Sequence, residues 1–455
     1  MTADHTTDLV ERTMATAQEQ DVKFIDLQFT DVVGAVKSVT IPIEQFGEAI
    51  DHGKWFDGSS IEGFTRIAES DMFLVPDLST FAVIPWQRGE NTTARVICWV
   101  HGPEGSLFEG DPRVVLRRQL DEAAALGYAY NTGPELEFFL FKTNGGPVTP
   151  IPHDAGGYFD LTEDLGSGVR KEMVRALEAM GIEVETSHHE VAVGQHEIDF
   201  KYADALTTAD NAVTLRYTLK AVAQRHDLHA TFMPKPLEGM NGSGMHTHQS
   251  LSSLANGKNA FVSVNEGSGD NAYGLSKLAR HFIAGQLAHA RGMCAVLAPT
   301  INSYKRLVPG FEAPVYLSWA RTNRSALIRI PRITPSQPAA TRVELRCPDP
   351  SANPYLAFAV MLAAGLDGIR RELEPPDPME ENLYHLSSEG LAERGVHTLP
   401  FNLGEALEEL ERDEVVCAAL GEHVLSHFRE AKAQEWSSYG RHVSTWEIER
   451  YLEIL

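Results

Sequence analysis

One short stretch of the chain places two carboxylates against a run of apolar residues. Glu135, Leu136 and Glu137 are followed by four apolar residues, 138–141. Residues two apart in a β-strand point to the same face, so both carboxylates would share one face. Such groups repel each other and lose hydration when buried, a cost that a bound cation removes. The fold must therefore either bury this strand around a cation or leave it as a solvated edge strand with alternating glutamates.

Two further clusters would supply metal ligands. Residues 188–190 and 195–197 place Glu190 and Glu197 seven residues apart, and His246 and His248 share a face if residues 245–250 form a strand. Each cluster alone is a weak signal, because a single histidine is more often a hydrogen-bonded core residue than a ligand. Zinc favours sets of histidine and cysteine, whereas this inventory is rich in carboxylates. It therefore suits Mg²⁺ or Mn²⁺.

A glycine-rich loop, residues 235–244, leads into the histidine pair. Glycine allows a ligand to approach the backbone, although an ordinary turn is the commoner explanation. The loop is not a Walker A motif, because no Gly-Lys-Ser or Gly-Lys-Thr follows.

Arginines gather in the next part of the chain: Arg306, Arg321, Arg324, Arg329, Arg332, Arg342 and Arg346. Guanidinium groups bind phosphate and carboxylate with two hydrogen bonds, and the alternative is a set of structural ion pairs. Arginines beside a carboxylate cluster predict a site where metal ions bridge anions. Phosphoryl transfer needs this arrangement.

Charge and hydropathy exclude several classes of protein. The 455 residues include 39 Lys+Arg and 63 Asp+Glu, a net charge of −24, which disfavours binding to nucleic acid or to anionic membranes. The longest apolar stretch, Tyr355–Leu366, is too short to cross a bilayer. Residues 1–5 lack the features of a signal peptide, and the four cysteines form no CxxC motif. We therefore expect a cytoplasmic protein.

The chain length predicts two or three domains. Residues 1–105 show the alternating pattern of a small α/β unit, and a Gly/Pro break precedes residues 106–455, where strands and helices alternate. A helix is predicted to begin at Asp111-Pro112 and to end at Ala125. A single helix is predicted over Ala272–Leu297, and a helical tail from Leu403.

Taken in order, these segments resemble class I glutamine synthetase of the bacterial and archaeal type, from about residue 20 to the C-terminus. The similarity is carried by residues 56–60, 133–138, 235–250, 302–310, 323–325 and 342–355. Residues 63–67 are similar to the α-type subgroup. The resemblance implies an α+β fold with a small β-grasp-like N-terminal domain. It also implies a large catalytic domain that has a curved antiparallel sheet and surrounding helices.

The resemblance also implies roles for individual residues. The ligands of the metal nearer glutamate would be Glu137, Glu190 and Glu197, and those of the metal nearer ATP would be Glu135, His246 and Glu344. The residues that bind ATP would be His248, Ser250, Arg329 and Arg342. Glutamate would be bound by Asn241, Gly242, Arg306 and Arg346.

Further implied roles concern ammonium, catalysis and regulation. The ammonium pocket would contain Asp57, Ser60, Tyr158 and Glu190. The catalytic residues would be Asp57, Glu312, Arg324 and Arg346, with Arg324 facing the transferred phosphoryl group and Glu312 on a flap that closes over the intermediate. Arg66 matches an arginine that takes part in feedback inhibition by glutamine.

The implied activity is ATP-dependent ligation of ammonia to L-glutamate, giving L-glutamine through γ-glutamyl phosphate. The substrates would be ATP, ammonium and L-glutamate, with two or more Mg²⁺ or Mn²⁺ ions in each active site. The family also implies a homododecamer of two stacked hexameric rings with active sites between subunits, and it leaves room for a regulatory protein partner.

Three alternatives remain open on the sequence. A γ-glutamyl-amine ligase would use a polyamine or ethanolamine, but residues 57–60 and Tyr158 favour ammonia. The complete set of metal-binding acids and arginines argues against a structural relative that has lost catalysis. A metal-dependent hydrolase would explain the His/Glu clusters but neither the glycine-rich loop nor the arginines.

We predict that Asp57→Ala loses ammonia-dependent glutamine synthesis while ATP still binds. The carboxylate that would accept a proton from ammonium is then missing, a loss of about 10²- to 10⁴-fold in rate. Glutamine formation and calorimetric ATP binding measure the two effects. Retained synthesis at ordinary ammonium levels would remove Asp57 from the mechanism.

Overall fold

The structure is a computed structural model that describes residues 3–59, 61, 71–263, 272–310, 313–334, 336–386 and 388–455. Three residues with predicted roles, Ser60, Arg66 and Glu312, lie outside the described residues.

The N-terminal part is a mixed sheet with helices. Its elements are α1 (Ala3–Glu19), β1 (Phe24–Thr30), β2 (Val36–Pro42), α2 (Phe46–His52), β3 (Lys54–Asp57), β4 (Asp71–Pro76), β5 (Ala82–Val83) and β6 (Thr93–His101). The strand order is β2-β1-β6-β4-β3, with β5 also paired to β6, and β1 runs parallel to β6. The alternation of Ile25, Leu27 and Phe29 buries all three side chains in one core, as predicted for a strand.

A larger sheet follows, made almost wholly of antiparallel pairs. Its strands are β7 (Tyr128–Lys142), β8 (Val184–His189), β9 (Gln195–Phe200), β10 (Ala203–Asp204), β11 (Leu228–Thr231), β12 (Met245–Ser253), β13 (Tyr316–Ala320), β14 (Ala326–Arg329) and β15 (Val343–Leu345). The order is β13-β14-β15-β12-β7-β9-β8, and only the β13–β14 pair within it is parallel among the described strands. The 15-residue strand β7 also pairs with β10 and β11.

Helices make up the rest of this part of the chain. They are α3 (Pro112–Ala125), α4 (Ser167–Ala179), α5 (Ala205–Gln224), α6 (Lys277–Ala288), α7 (Ala290–Leu297), α8 (Ser303–Arg306), α9 (Pro354–Arg370), α10 (Ser388–Glu393), α11 (Leu403–Arg412), α12 (Glu414–Leu420), α13 (Glu422–Gly440) and α14 (Thr445–Tyr451). Among them, α3, α4, α5 and α6 pack on strands of the large sheet. Short 3₁₀ helices span Ile43–Gln45, Leu78–Thr80, Ala272–Gly274, Pro338–Ala340 and Leu383–His385.

Strand β7 divides its side chains between a core face and a site face. Leu136, Phe138 and Leu140 belong to the large hydrophobic core, against which α3 and α5 pack. Glu135 and Glu137 therefore point away from the helices. The central helix α9 is buried along nearly its whole length and contacts α3, α5, α6, α7 and α12. This layer fixes the position of the acid-bearing strands.

The predicted start of α3 is confirmed. Asp111 is the N-cap, its carboxylate accepts a hydrogen bond from the Arg113 backbone N–H at 2.9 Å, and Pro112 occupies the first helical turn. Residues 245–250 lie in strand β12, so the condition under which His246 and His248 share a face is met. No helix in the described part of the chain has both the length and the apolar composition needed to span a bilayer.

The single helix predicted over residues 272–297 is wrong. Ser276 caps the start of α6, which ends at Ala288, and His289 is both the C-cap of α6 and the N-cap of α7. The His289 imidazole lies between two carboxylates from distant helices, 2.9 Å from Asp367 Oδ2 and 2.9 Å from Asp413 Oδ2. These contacts hold the break in place, and a local helical pattern carries no signal of them.

We predict that Gly285→Ala destabilises the protein by about 3 kcal/mol, because α6 and α9 cross at glycines. A Cβ at Gly285 would lie 2.1 Å from the Ala364 carbonyl oxygen, and one at Gly368 would lie 2.1 Å from that of His281. Gly168→Ala is the control, since that exposed position of α4 has nothing within 4 Å and the change should stabilise by about 0.5 kcal/mol. Urea unfolding midpoints compare the two variants, and equal midpoints would contradict the close crossing.

Candidate active site

Three neighbouring strands carry four of the six predicted metal ligands in register. Glu135 of β7 lies opposite His246 of β12 and opposite Asp199 of β9. Glu137 lies opposite Glu197. Because alternate residues of a strand share a face, these acids and the imidazole project from one face of the sheet. The edge-strand alternative is wrong, since β7 has a neighbour on each side.

Arginines border the acids on the β14–β15 side. Glu344 lies opposite His248 and opposite Arg329, whose Nε donates a hydrogen bond to Glu344 Oε2. Arg346 Nε is 3.2 Å from Glu344 Oε1. Burial alone would raise the pKa of Glu344, but His248, Arg346 and Arg329 lower the pKa below its usual range. The ion pairs expected as an alternative for the arginines are thus present, and they surround a predicted metal ligand.

The ligand atoms of Glu135, His246 and Glu344 lie within 4.8 Å of one another. His248 Nε2 is 2.7 Å from Glu135 Oε1, and His246 Nδ1 is 3.5 Å from Glu135 Oε2. Burial raises the pKa of Glu135, but its contacts with His246 and His248 outweigh burial and hold the pKa well below the usual value. Burial and Arg346 lower the pKa of His246, which favours the neutral imidazole that binds metal.

The acids on the β9 side are not neutralised in the same way. Burial and the neighbouring Asp199, Glu135 and Glu190 raise the pKa of Glu197 to about 10. Burial, Glu197 and Glu190 also raise the pKa of Glu137 well above its ordinary value. Buried carboxylates that repel one another and carry oxygen donors fit a divalent cation such as Mg²⁺ or Mn²⁺.

His188 and Asp199 are site residues to which the sequence reasoning gave no role. The ligand atoms of His188, Glu197 and Asp199 lie within 4.8 Å of one another, and His188 Nε2 is 3.1 Å from Glu197 Oε1. Burial raises the pKa of Asp199 to about 6. The alternation that singled out Glu135 and Glu137 also places Asp199 two residues beyond Glu197, so a signal was present for it.

Glu190 and Tyr158 lie at the open end of the acid cluster. Glu190 follows β8 in the turn to β9, its Oε2 accepts a hydrogen bond from the Val191 N–H at 3.0 Å, and its Oε1 is 3.7 Å from His188 Nδ1. The Tyr158 ring is half exposed and meets the His188 ring edge-on at 5.7 Å. Partial burial, Glu190 and Glu197 raise the pKa of Tyr158. The structure thus brings Tyr158 to the predicted ammonium side.

A cavity of about 410 Å³ opens on one side of the acids. Its lining includes Glu135 and the three predicted nucleotide residues His248, Ser250 and Arg342. Arg342 Nε is 3.2 Å from His248 Nδ1. The Tyr202 hydroxyl, which sequence reasoning missed, donates a hydrogen bond to Ser250 Oγ at 2.6 Å.

A smaller cavity lies on the other side. All four predicted glutamate residues line it together with three predicted metal ligands: Asn241, Gly242, Arg306, Arg346, Glu137, Glu190 and His246. Arg306 is buried and donates hydrogen bonds to the carbonyl oxygens of Arg346 and Cys347 at 3.1 and 2.9 Å. Its cationic group therefore also holds the strand end that follows Glu344.

The glycine-rich loop contributes to the site through its backbone. The Gly244 N–H donates a hydrogen bond to Glu137 Oε2 at 3.0 Å, and Gln195 Nε2 donates to the same oxygen at 2.9 Å. A Cβ at Gly242 would lie 2.3 Å from the Pro234 carbonyl oxygen, so this close approach requires glycine.

Two predicted residues lie outside the strands that carry the acids. Asp57 ends β3 in the N-terminal sheet, where its carboxylate accepts a hydrogen bond from the Ser59 N–H at 2.8 Å. Arg324 is exposed between β13 and β14, and its carbonyl oxygen accepts a hydrogen bond from Arg346 Nη1.

Comparison with known families decides the relationship. Residues 109–451 match the model of the glutamine synthetase catalytic domain, and residues 21–103 match that of the glutamine synthetase β-grasp domain. The chain belongs to the glutamine synthetase family. The resemblance and the α+β fold predicted from the sequence are confirmed.

Named relatives of this family are similar over nearly the whole chain. A glutamine synthetase from Clostridium saccharobutylicum is 53% identical over 96% of each chain, and one from Thermus thermophilus is 54% identical over 95% of this chain and 96% of its own. A solved structure of a GmaS–ADP complex has a TM-score of 0.85 and 34% identity, covering 96% of this chain and 99% of that one. Glutamine synthetases depend on ATP and a divalent metal, and the groups described above offer the metal ligands.

We predict that Mg²⁺ stabilises the wild-type protein and that Glu197→Gln removes most of that gain. Without metal, burial and the neighbouring acids favour the protonated form of Glu197, so an isosteric amide should leave the unfolding free energy within about 0.5 kcal/mol. At about 100 times the dissociation constant, metal should add about 2.7 kcal/mol to the wild type. Thermal melts in EDTA and in Mg²⁺ measure both quantities, and an equal Mg²⁺ effect on the variant would exclude Glu197 as a ligand.

Proposed function

We propose that this chain uses ATP to join ammonia to L-glutamate, releasing L-glutamine, ADP and phosphate. The observation that carries the proposal is the acid face between two cavities. One cavity contains the predicted nucleotide residues, and the other contains the predicted glutamate residues. A phosphoryl group could pass between the two substrates only where their cavities meet. Predicted metal ligands line both cavities.

In this proposal the larger cavity binds ATP. His248, Ser250 and Arg342 line it, and Arg329 lies at the adjoining Glu344. The guanidinium groups would fix the phosphate chain by paired hydrogen bonds. The smaller cavity binds L-glutamate through Asn241, the Gly242 backbone, Arg306 and Arg346.

Two sets of acids would hold the metal ions. Glu135, His246 and Glu344 would bind the metal nearer ATP, and Glu137, Glu190 and Glu197 would bind the metal nearer glutamate. We add His188 and Asp199 as groups that surround the second set. Bound Mg²⁺ or Mn²⁺ ions would neutralise charge on the phosphoryl oxygens.

The reaction would proceed in two steps. The γ-carboxylate of glutamate attacks the terminal phosphorus of ATP, and ADP leaves, which converts a poor electrophile into γ-glutamyl phosphate. Arg324 and Arg346 hold the charge of the transferred group. Asp57 accepts a proton from ammonium, and ammonia then displaces phosphate.

Further residues would assist the second step. Ser60, Tyr158 and Glu190 complete the ammonium pocket, whose negative charge attracts the cation. Glu312 would close the flap and exclude water, which would otherwise hydrolyse the acyl phosphate.

We also propose that the working enzyme is an oligomer, with two stacked hexameric rings as the family implies. Asp57 belongs to a different sheet from the metal acids, which supports its entry into the site of a neighbouring subunit. The C-terminal residues Trp446, Leu452 and Leu455 are largely exposed, as expected of a tail that docks on another subunit. Arg66 would mediate inhibition by glutamine, and a regulatory protein partner would act on the assembly. Within the cell we expect a cytoplasmic location.

The alternatives from the sequence are less favoured. Curated relatives that share about half of the residues over nearly the whole chain are named glutamine synthetases, which disfavours a γ-glutamyl-amine ligase. The complete acid face disfavours a silent relative, and the two cavities disfavour a simple metal-dependent hydrolase.

The test is phosphate release from ATP in Mg²⁺ and glutamate, with the amine varied. Release that requires both glutamate and ammonium and is matched by glutamine is the expected result. EDTA should abolish it. Release only with polyamines or ethanolamine would identify an amine ligase and would overturn the ammonium pocket at Asp57 and Tyr158. Release without glutamate would indicate a hydrolase.

A further inference from the structure

The opposite face of the β8–β9 hairpin carries a second polar cluster. His189 alternates with His188, and His196 alternates with Glu197, so both imidazoles point away from the acid face toward α4. Both histidines are fully or almost fully buried. The proposed mechanism uses neither of them.

His189 is held at both ring nitrogens. Nδ1 is 2.7 Å from the Glu190 carbonyl oxygen, and Nε2 is 3.0 Å from Asp154 Oδ1. The side chains of His189 and Asp154 are both 0% exposed. Both partners are acceptors, so the imidazole donates from both nitrogens and forms a charge-assisted bond with Asp154.

Asp154 extends this connection to the other end of the turn. Its Oδ1 also accepts a hydrogen bond from the Gly194 N–H at 3.0 Å, and its Oδ2 accepts one from the Leu165 N–H at 3.2 Å. The pair therefore joins the first and last residues of the Glu190–Gly194 turn and ties the turn to the segment before α4. Gly194 has a φ of +68° and Leu140 O lies 3.1 Å from its would-be Cβ, so the turn has little room to shift.

The cluster is poorly suited to be a third metal site, although Asp154, His189 and His196 have atoms within 4.8 Å of one another. Both nitrogens of His189 already donate hydrogen bonds. Arg170 Nη1 is 2.9 Å from His196 Nδ1, and the Arg170 guanidinium forms two hydrogen bonds with Asp164 at 2.8 and 2.6 Å. A cation bound here would lie beside the positive Arg170 guanidinium, which repels it, and would not find a free lone pair on these rings.

We propose that Asp154 and His189 are positioning residues that hold the Glu190 carboxylate at the metal and ammonium side of the active site. This inference rests on the proposed role of Glu190. Glu190 stands on a turn beside acids that repel it, and hydrogen bonds from behind the turn oppose its movement into solvent. Groups that orient ligands from behind commonly change metal affinity by about 10- to 100-fold when removed.

The experiment compares Asp154→Ala with Asp413→Ala in the full-length protein. Asp413 also bonds a buried histidine, His289, but in the helical layer, so its loss controls for general destabilisation. Free Mn²⁺ is measured by electron paramagnetic resonance during titration, and KM values for ammonium and ATP are measured separately. Melting temperatures of both variants are recorded.

For Asp154→Ala we expect one class of Mn²⁺ site to weaken about ten-fold while the other changes less than two-fold. The KM for ammonium should rise about ten-fold, with the KM for ATP unchanged. Asp413→Ala should lower the melting temperature without either effect. Asp154→Asn keeps Oδ1 as an acceptor for Gly194 and His189, so it should recover most of the Mn²⁺ affinity. His189→Ala, which removes the other member of the pair, should show the same losses as Asp154→Ala and replaces it if that variant fails to fold.

Three results would overturn the proposal. The first is wild-type Mn²⁺ affinity at both classes of site in Asp154→Ala, and the second is an equal loss of Mn²⁺ affinity in Asp413→Ala. The third is the loss of one whole Mn²⁺ equivalent beyond the acid-face sites, which would indicate a metal bound at Asp154 itself. If the wild-type protein binds Mn²⁺ but forms no glutamine, the proposed function is refuted. The positioning role of Asp154 and His189 is not, because the Mn²⁺ titration still reports on Glu190.

Discussion

The mutual repulsion of carboxylates gathered on one face of a sheet is the constraint on which the rest of the structure depends. Glu135, Glu137 and Glu197 are held together by strand pairing, which places them opposite one another or opposite histidines regardless of their charge. The free energy for this arrangement comes from the other face, where the apolar side chains of β7 pack on helices. A large core is therefore what allows the small acid cluster to exist.

The acid face has two electrostatically different halves. On the β15 side, imidazoles and guanidinium groups keep Glu135 and Glu344 ionised, and their pKa values are lowered. On the β9 side, burial and neighbouring acids raise the pKa values of Glu137 and Glu197. The half with lowered pKa values lies toward the proposed ATP cavity, where its imidazoles and guanidinium groups would offset the negative charge of the phosphates. The half with raised pKa values lies toward the proposed ammonium pocket, which would bind a cation.

Much of the acid face followed from the sequence because it rests on strand periodicity. The alternation at Glu135 and Glu137 and the spacing of His246 and His248 are local patterns, and the structure places all four on one face. Asp199 was open to the same reasoning. The break at His289 was not, because its partners Asp367 and Asp413 are 78 and 124 residues away. The Asp154–His189 pair likewise depends on a contact across 35 residues.

The register of β7 against β12 also limits how this chain can change in length. A single inserted or deleted residue in either strand would turn every following side chain to the other face, sending glutamates into the apolar core and leucines toward the substrates. Residues 143–150, beyond the end of β7, are exposed, and their side chains do not have to alternate between a core face and a site face. Length variation among descendants of this sequence should therefore collect in that connection, while β7 and β12 each keep a fixed number of residues.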